Sequence, residues 1–224
     1  PKYLDDELIQ VPSMALELAR MELGHMAELT EGMLAKARPV LESGDLGELS
    51  LQHDRIVVLR EALLSYLQQV GRAELNDAEA DEHARLVAAT GEIENMSAAL
   101  SYELIPLAQT LKEGNTTPSK ETTDLLERLF QTIQASAHSA LRALVEHDEQ
   151  AAQTVIASRD AILELTSQFH RQQAVRLAGN EPDRLLKLRV QLEILDRLRR
   201  LYSVAEHMAI SVLPRSVLAG ELSA

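Results

Sequence analysis

From about Ser13 to Leu41 the apolar residues recur in two rows, Leu16, Leu23 and Ala37 in one and Ala19, Met26, Met33 and Val40 in the next. A seven-residue recurrence keeps them on one side of a helix, so the pattern predicts a long amphipathic helix. Ser43, Gly44, Asp45 and Gly47 interrupt it. It resumes with Leu49, Ile56, Leu63 and Val70 beside Leu59 and Tyr66, and the second predicted helix ends near Gly71. A polar, acidic connector from Ala73 to Asp81 leads into Leu86, Ile93, Leu100 and Leu107, with Ala89 and Met96 as the adjacent row. Pro106 has no N–H and crowds the preceding turn, so it is expected to kink or end this third helix.

Residues 113 to 119, Glu-Gly-Asn-Thr-Thr-Pro-Ser, form the strongest breaker cluster and lie near the midpoint. They divide the chain into two expected domains, 1–112 and 113–224. A fourth helix is predicted from about Glu121 to Val145, and a fifth from about Glu149 to Ala178 on Val155, Ile162 and Phe169. Gly179 to Asp183 separates it from a sixth, with Pro182 suited to a first turn. The sixth uses Leu185, Leu188, Leu192, Leu195, Leu198 and Leu201, then Ala205 and Met208. Two helix triplets around a midpoint break suggest an internal repeat. Asp54-Arg-Ile56-Val-Val-Leu59 matches Asp160-Ala-Ile162-Leu-Glu-Leu165, and Thr90-Gly91-Glu92-Ile93 answers Val204-Ala205-Glu206-His207. The expected class is all-α, two tandem three-helix bundles built from six long helices with an internal pseudo-repeat.

Composition supports this class. The chain has no Trp, two Phe and four Tyr, and the Leu, Ala, Val, Ile and Met that remain suit helix seams better than strands. A net charge of −13 argues against nonspecific nucleic-acid binding, because phosphates are repelled by an acidic surface. With no Cys, disulfides and thiolate metal sites are excluded, and any metal would need His or carboxylate ligands. No run approaches the roughly 20 apolar residues that cross a bilayer. Starting at Pro1 rather than Met, the chain reads as an excised piece of something longer, an appearance that processing would also produce.

Candidate chemistry is sparse. The sequence carries no nucleophile elbow, no Gly-rich phosphate loop and no HExxH among its seven His, so an enzyme is not expected. An Arg run in the fifth and sixth helices (Arg171, Arg176, Arg184, Lys187, Arg189, Arg197, Arg199, Arg200) could contact phosphate, an anionic membrane or an acidic partner. Glu193 and Asp196 precede Arg197 and Arg200 by four residues and could neutralise them as intrahelical pairs. Arg197, Arg199 and Arg200 are the partner-docking candidates. Met14, Met21, Met26 and Met33 could form an adaptable groove. Core packing is the plainer reading.

The opening Pro1-Lys-Tyr3-Leu4-Asp5, followed by Val11-Pro12 and Ala15-Leu16-Glu17-Leu-Ala19-Arg-Met21-Glu22, resembles the start of a PhoU-type domain, and Tyr66-Leu67 fits the same pattern. The likeness covers nearly the whole chain. It is greatest to the cytoplasmic PhoU-like C-terminal domain of bacterial sodium/phosphate cotransporters. It implies two side-by-side three-helix bundles. It also implies repeated Glu/Asp-x-x-x-Asp motifs, which in metal-binding relatives hold a divalent or iron-type metal. Carboxylates four residues apart share a helix face and can reach one cation. Here Glu92 and Glu206 take the second acidic position, but Ala88 and Tyr202 stand four residues earlier. The corresponding pair in the second helix is His53 and Val57. Asp160 and Glu164 keep both carboxylates. Glu92, Glu206, Asp160 and Glu164 are therefore the metal candidates of a worn motif, with ion-paired or solvated carboxylates as the plainer reading.

The resemblance implies a cytoplasmic regulatory domain of phosphate uptake, expected at the inner face of the plasma membrane. Its partner would be the membrane part of a phosphate transporter, in the same polypeptide, with homodimerisation open and no nucleic acid. The alternatives are a free-standing metal-binding PhoU regulator of an ABC phosphate importer and its sensor kinase, or a helical scaffold unrelated to phosphate.

Overall fold

The computed structural model describes residues 1–43, 47–113, 119–177 and 184–214. Among them there is no strand. Six helices follow a single 3-10 turn at Asp6–Leu8: α1 (Pro12–Ser43), α2 (Gly47–Val70), α3 (Asp77–Glu113), α4 (Lys120–Glu146), α5 (Glu149–Leu177) and α6 (Arg184–Val212). The architecture is all-α, two three-helix bundles. Gly44, Asp45, residues 114–118 and Gly179 to Asp183, where breakers are predicted, lie outside the described residues. So do the side chains of Val40, Leu107, Arg176 and Arg184.

The chain resolves into two compact units, Pro1–Lys36 with Gly47–Ser101, and Ala37–Leu46 with Tyr102–Ala224. The division falls inside α1, after Lys36, and inside α3, after Ser101. In the first unit the predicted rows are the core: Leu16, Ala19, Leu23, Met26 and Met33 of α1, Leu49, Ile56, Leu63, Tyr66 and Val70 of α2, and Leu86, Ile93, Met96 and Leu100 of α3 are all buried. Burying each large side chain is worth about 1.5–3 kcal/mol. Buried Thr30 and Thr90 donate to the carbonyls of Met26 and Leu86 one turn back, so each is satisfied within its own helix. Across helices, His53 of α2 meets Ser97 of α3 at 3.0 Å, and Arg20 of α1 meets Glu82 of α3.

Three details depart from the sequence pattern. Met14 and Met21 are 50% and 43% exposed, while Met26 and Met33 are fully buried, so the methionine row is half core and half surface. Pro106 does not end α3, which continues to Glu113. In α6 the inward face is set by Gln191, Ile194, Leu195, Leu198, Leu201, Tyr202 and Ala205, whereas Leu185 is 69% exposed and Leu188 and Leu192 are half-buried. At about 100° per residue, Leu185 falls well to one side of the Leu198–Ala205 face.

In the second unit α4, α5 and α6 pack pairwise on one another. Ser119 caps α4 by accepting from Thr122 N at 3.3 Å. His147, in the left-handed region at φ 53°, closes it, and Asp148 then opens α5 by accepting from Ala151 N. Ile56 and Leu59 of α2 and their repeat counterparts Ile162 and Leu165 of α5 are all buried. The other matched run diverges: Ile93 is buried and His207 exposed.

The end of α2 supplies a local test. His83 Nε2 lies 2.8 Å from the Leu67 carbonyl, which also accepts from Gly71 N. A Cβ on Gly71 would stand 3.0 Å from that ring nitrogen. Gly71→Ala is expected to push the ring off the carbonyl and cost about 1 kcal/mol, read as a lower thermal midpoint. An unchanged midpoint would show that the His83 contact contributes nothing.

Candidate functional site

Among the described residues of the Arg cluster, Arg197 and Arg200 are held in cross-helix ion pairs with one acid, and Arg171 pairs within its own helix. Arg197 reaches Glu193 one turn back on α6 at 2.8 Å, as its spacing predicts, and Glu103 of α3 at 3.0 Å. Arg200 does not follow its spacing. Its Nε lies 3.1 Å from the same Glu103 instead of turning to Asp196. The contact is possible because Glu103 belongs to the part of α3 that falls in the second unit. Glu103 and Arg197 side chains are each only 18% exposed, so this pair is shielded from solvent, while Arg200 is 56% exposed. Arg199 stands exposed on α6. Periodicity along α6 could signal the Glu193 pair but carried no trace of Glu103, which lies far away in sequence.

The four acidic candidates fall in different settings. Glu206 of α6 accepts from Arg159 of α5 at 2.7 Å and from the Tyr202 hydroxyl at 3.4 Å; the same hydroxyl donates to the Val155 carbonyl. Tyr202 therefore occupies the place where the resemblance would put a second carboxylate, and its phenol is pushed up in pKa by burial. Asp160 and Glu164 are exposed on α5. Glu164 accepts from Gln168 and from Arg171 farther along the same helix, contacts that hold its carboxyl below its usual pKa. Glu92 is half-buried on α3, in the first unit. This donor set does not fit a multinuclear carboxylate cluster: a cation at Glu206 would have to displace a guanidinium, and Ala88 and Tyr202 supply no carboxylate. Among the described residues no three His, Asp or Glu side chains come together as a metal group.

A groove of about 390 Å³ in the second unit is lined by Glu121, Asp124, Leu125, Arg128, Gln168, Arg171 and Gln172. Its two acids balance its two guanidinium groups, and Gln172 already donates to Glu121 at 3.1 Å. Such a lining selects neither an anion nor a cation.

The most completely built polar site is one the sequence pattern does not single out. Glu22 of α1 has no exposed surface. Its Oε2 accepts the backbone N–H groups of Lys2 and Tyr3, both at 2.7 Å, and its Oε1 lies 2.9 Å from His25 Nδ1. The Tyr3 ring stands edge-on to His25, and the Tyr66 hydroxyl donates to the Asp5 carbonyl at 3.1 Å. Burial alone would raise the Glu22 pKa, but the His25 ring and the two backbone donors outweigh it and hold the carboxyl below its usual range. The first five residues are thereby strapped to α1 and α2. In sequence Glu22 is one acidic residue among many, and its partners are backbone groups that no side-chain motif marks.

Among the described residues no helix is long and apolar enough to cross a membrane. No protein-family model matches the chain, and no curated protein does.

Proposed function

We propose that this chain is a regulatory docking domain of the PhoU type, acting on sodium-dependent phosphate transport through protein contacts at the cytoplasmic face of the membrane. The observation that carries the reading is the presence of two three-helix bundles of long helices in one chain, the element content that the sequence resemblance implies. The arrangement around α6 supports it. Arg197 is committed to Glu103 and Glu193, which fixes the helix, and leaves Arg199 and the outer part of Arg200 to meet an acidic or phosphate-bearing partner. Such a domain regulates by binding one conformation of its target better than another, about 1.4 kcal/mol of difference for each tenfold shift.

The test is sodium-driven uptake of radiolabelled phosphate in cells expressing the full gene product, compared with a version lacking these 224 residues. Deletion is expected to change the initial rate severalfold. Arg199→Glu with Arg200→Glu is expected to reproduce the deletion while the purified domain keeps its helical circular dichroism. Uptake indifferent to the deletion would overturn the proposal.

A further inference from the structure

The outer face of α1 has a composition that nothing among the described residues explains. Met14, Met21, Glu28 and Gly32 fall within a strip roughly 40° wide at about 100° per residue, with Glu17 and Gly24 along its edge. Met14 and Met21 are half-exposed, Glu17 and Glu28 are exposed, and Leu18, on the opposite margin, is half-buried. Gly24 and Gly32 sit in the body of the helix, where Gly is the poorest former after Pro. A Cβ built on either would meet nothing within 4 Å. Neither packing nor backbone conformation within the chain therefore calls for a glycine at these two positions.

We infer that this strip is a docking face for an amphipathic helix rich in Lys and Arg on a partner protein. The two glycines admit close approach of a second backbone, the flexible methionine side chains adapt to an apolar stripe, and the glutamates meet cations at its margins. Charge selects the occupant. The first unit holds seventeen Asp and Glu against seven Lys and Arg, and no Lys or Arg stands at the six strip positions. The two nearest cations, Arg20 on Glu17 and Glu82 and Lys2 over the Tyr3 ring and attracted by Glu28, answer part of this charge and leave the acidic excess of the unit standing. A second copy would bring the same glutamates against themselves, so a cationic partner is favoured over self-association. From Met14 to Gly32 the strip is about 27 Å long, matching a partner helix of about 18 residues. The inference concerns the first unit and does not depend on phosphate transport, so its failure would leave that proposal standing.

The probe is a synthetic 18-residue Leu/Lys peptide with helical amphipathic periodicity, titrated into the full chain by fluorescence anisotropy, with a scrambled peptide of identical composition as control. Saturable binding of the amphipathic peptide is expected, at least about tenfold tighter than that of the scrambled one. The methyl resonances of Met14 and Met21 should shift, and those of buried Met26 and Met33 should not. Gly24→Ala with Gly32→Ala is expected to melt no lower than the parent protein, since Ala favours helix, yet to bind about tenfold more weakly. Equal binding by both peptides, unmoved Met14 and Met21 methyls, or undiminished binding by the double variant would each overturn the inference. So would a dimer in sedimentation that the double variant dissolves, because the occupant would then be a second copy.

Discussion

Glu22→Ala is expected to destabilise the first unit by about 3 kcal/mol, in the range for removing a buried, multiply hydrogen-bonded charge. The substitution strips the Lys2 and Tyr3 amides and the His25 ring of their shared acceptor and leaves a gap in a fully buried position. Glu22→Gln separates charge from shape: an amide of the same size can accept at one oxygen but must place an NH2 against the remaining donors. The pH dependence follows from the depressed carboxyl. A group whose folded pKa lies below its unfolded one contributes stability above the unfolded value and loses it as pH falls through the folded one. The gap in thermal midpoint between the parent protein and the Gln variant should be full at neutral pH, shrink through the acid range below the usual carboxylate pKa, and close in strong acid. A gap independent of pH would show that packing, and not the ionised carboxylate, holds the strap. Hydrogen exchange gives a second readout, with the Lys2 and Tyr3 amides losing protection in both variants.

Phe169→Ala is the other large effect, about 4 kcal/mol. Phe169 is 1% exposed on α5 and is one of only two Phe in the chain. Its surroundings on that helix have little to spare. Thr166 and Gln173, one turn to either side, are buried, and among the described residues the Thr166 hydroxyl and the Gln173 side-chain nitrogen have no hydrogen-bond partner. Removing a fully buried ring leaves a cavity that the surrounding bundle refills only in part. Urea denaturation followed by circular dichroism should show the midpoint fall with the slope unchanged. A loss below about 1 kcal/mol would mean that the bundle refills the space.

The inward rows of α1, α2 and α3 were legible because a helix that buries one face writes its period into the chain, and every described member of those rows is buried. Legibility failed where a neighbour rather than a period decides. Leu185 fits the α6 leucine repeat and is nonetheless exposed, and Met14 and Met21 share a spacing with Met26 and Met33 but not their burial. Pro106 has the local chemistry to kink or end α3, and of these two outcomes the ending does not occur, since the helix runs on to Glu113. Among the candidate site residues, the Glu193–Arg197 pair could be read from a spacing of four. Glu103 with Arg200, Arg159 with Glu206, and the strap on Glu22 could not, since each joins residues distant in sequence or uses the main chain as one partner.

The hairpin succession from α4 through α5 to α6 bears on how this part of the chain acquires its structure. Only the left-handed His147 and the Asp148 cap separate α4 from α5, so two helices of nearly thirty residues each can zip together from their junction without first closing a long loop. Low sequence separation between pairing segments is the property that makes helical bundles fold within microseconds to milliseconds. The second unit should therefore assemble from the 147–148 corner outward, and a substitution there such as Asp148→Ala should slow refolding more than it speeds unfolding.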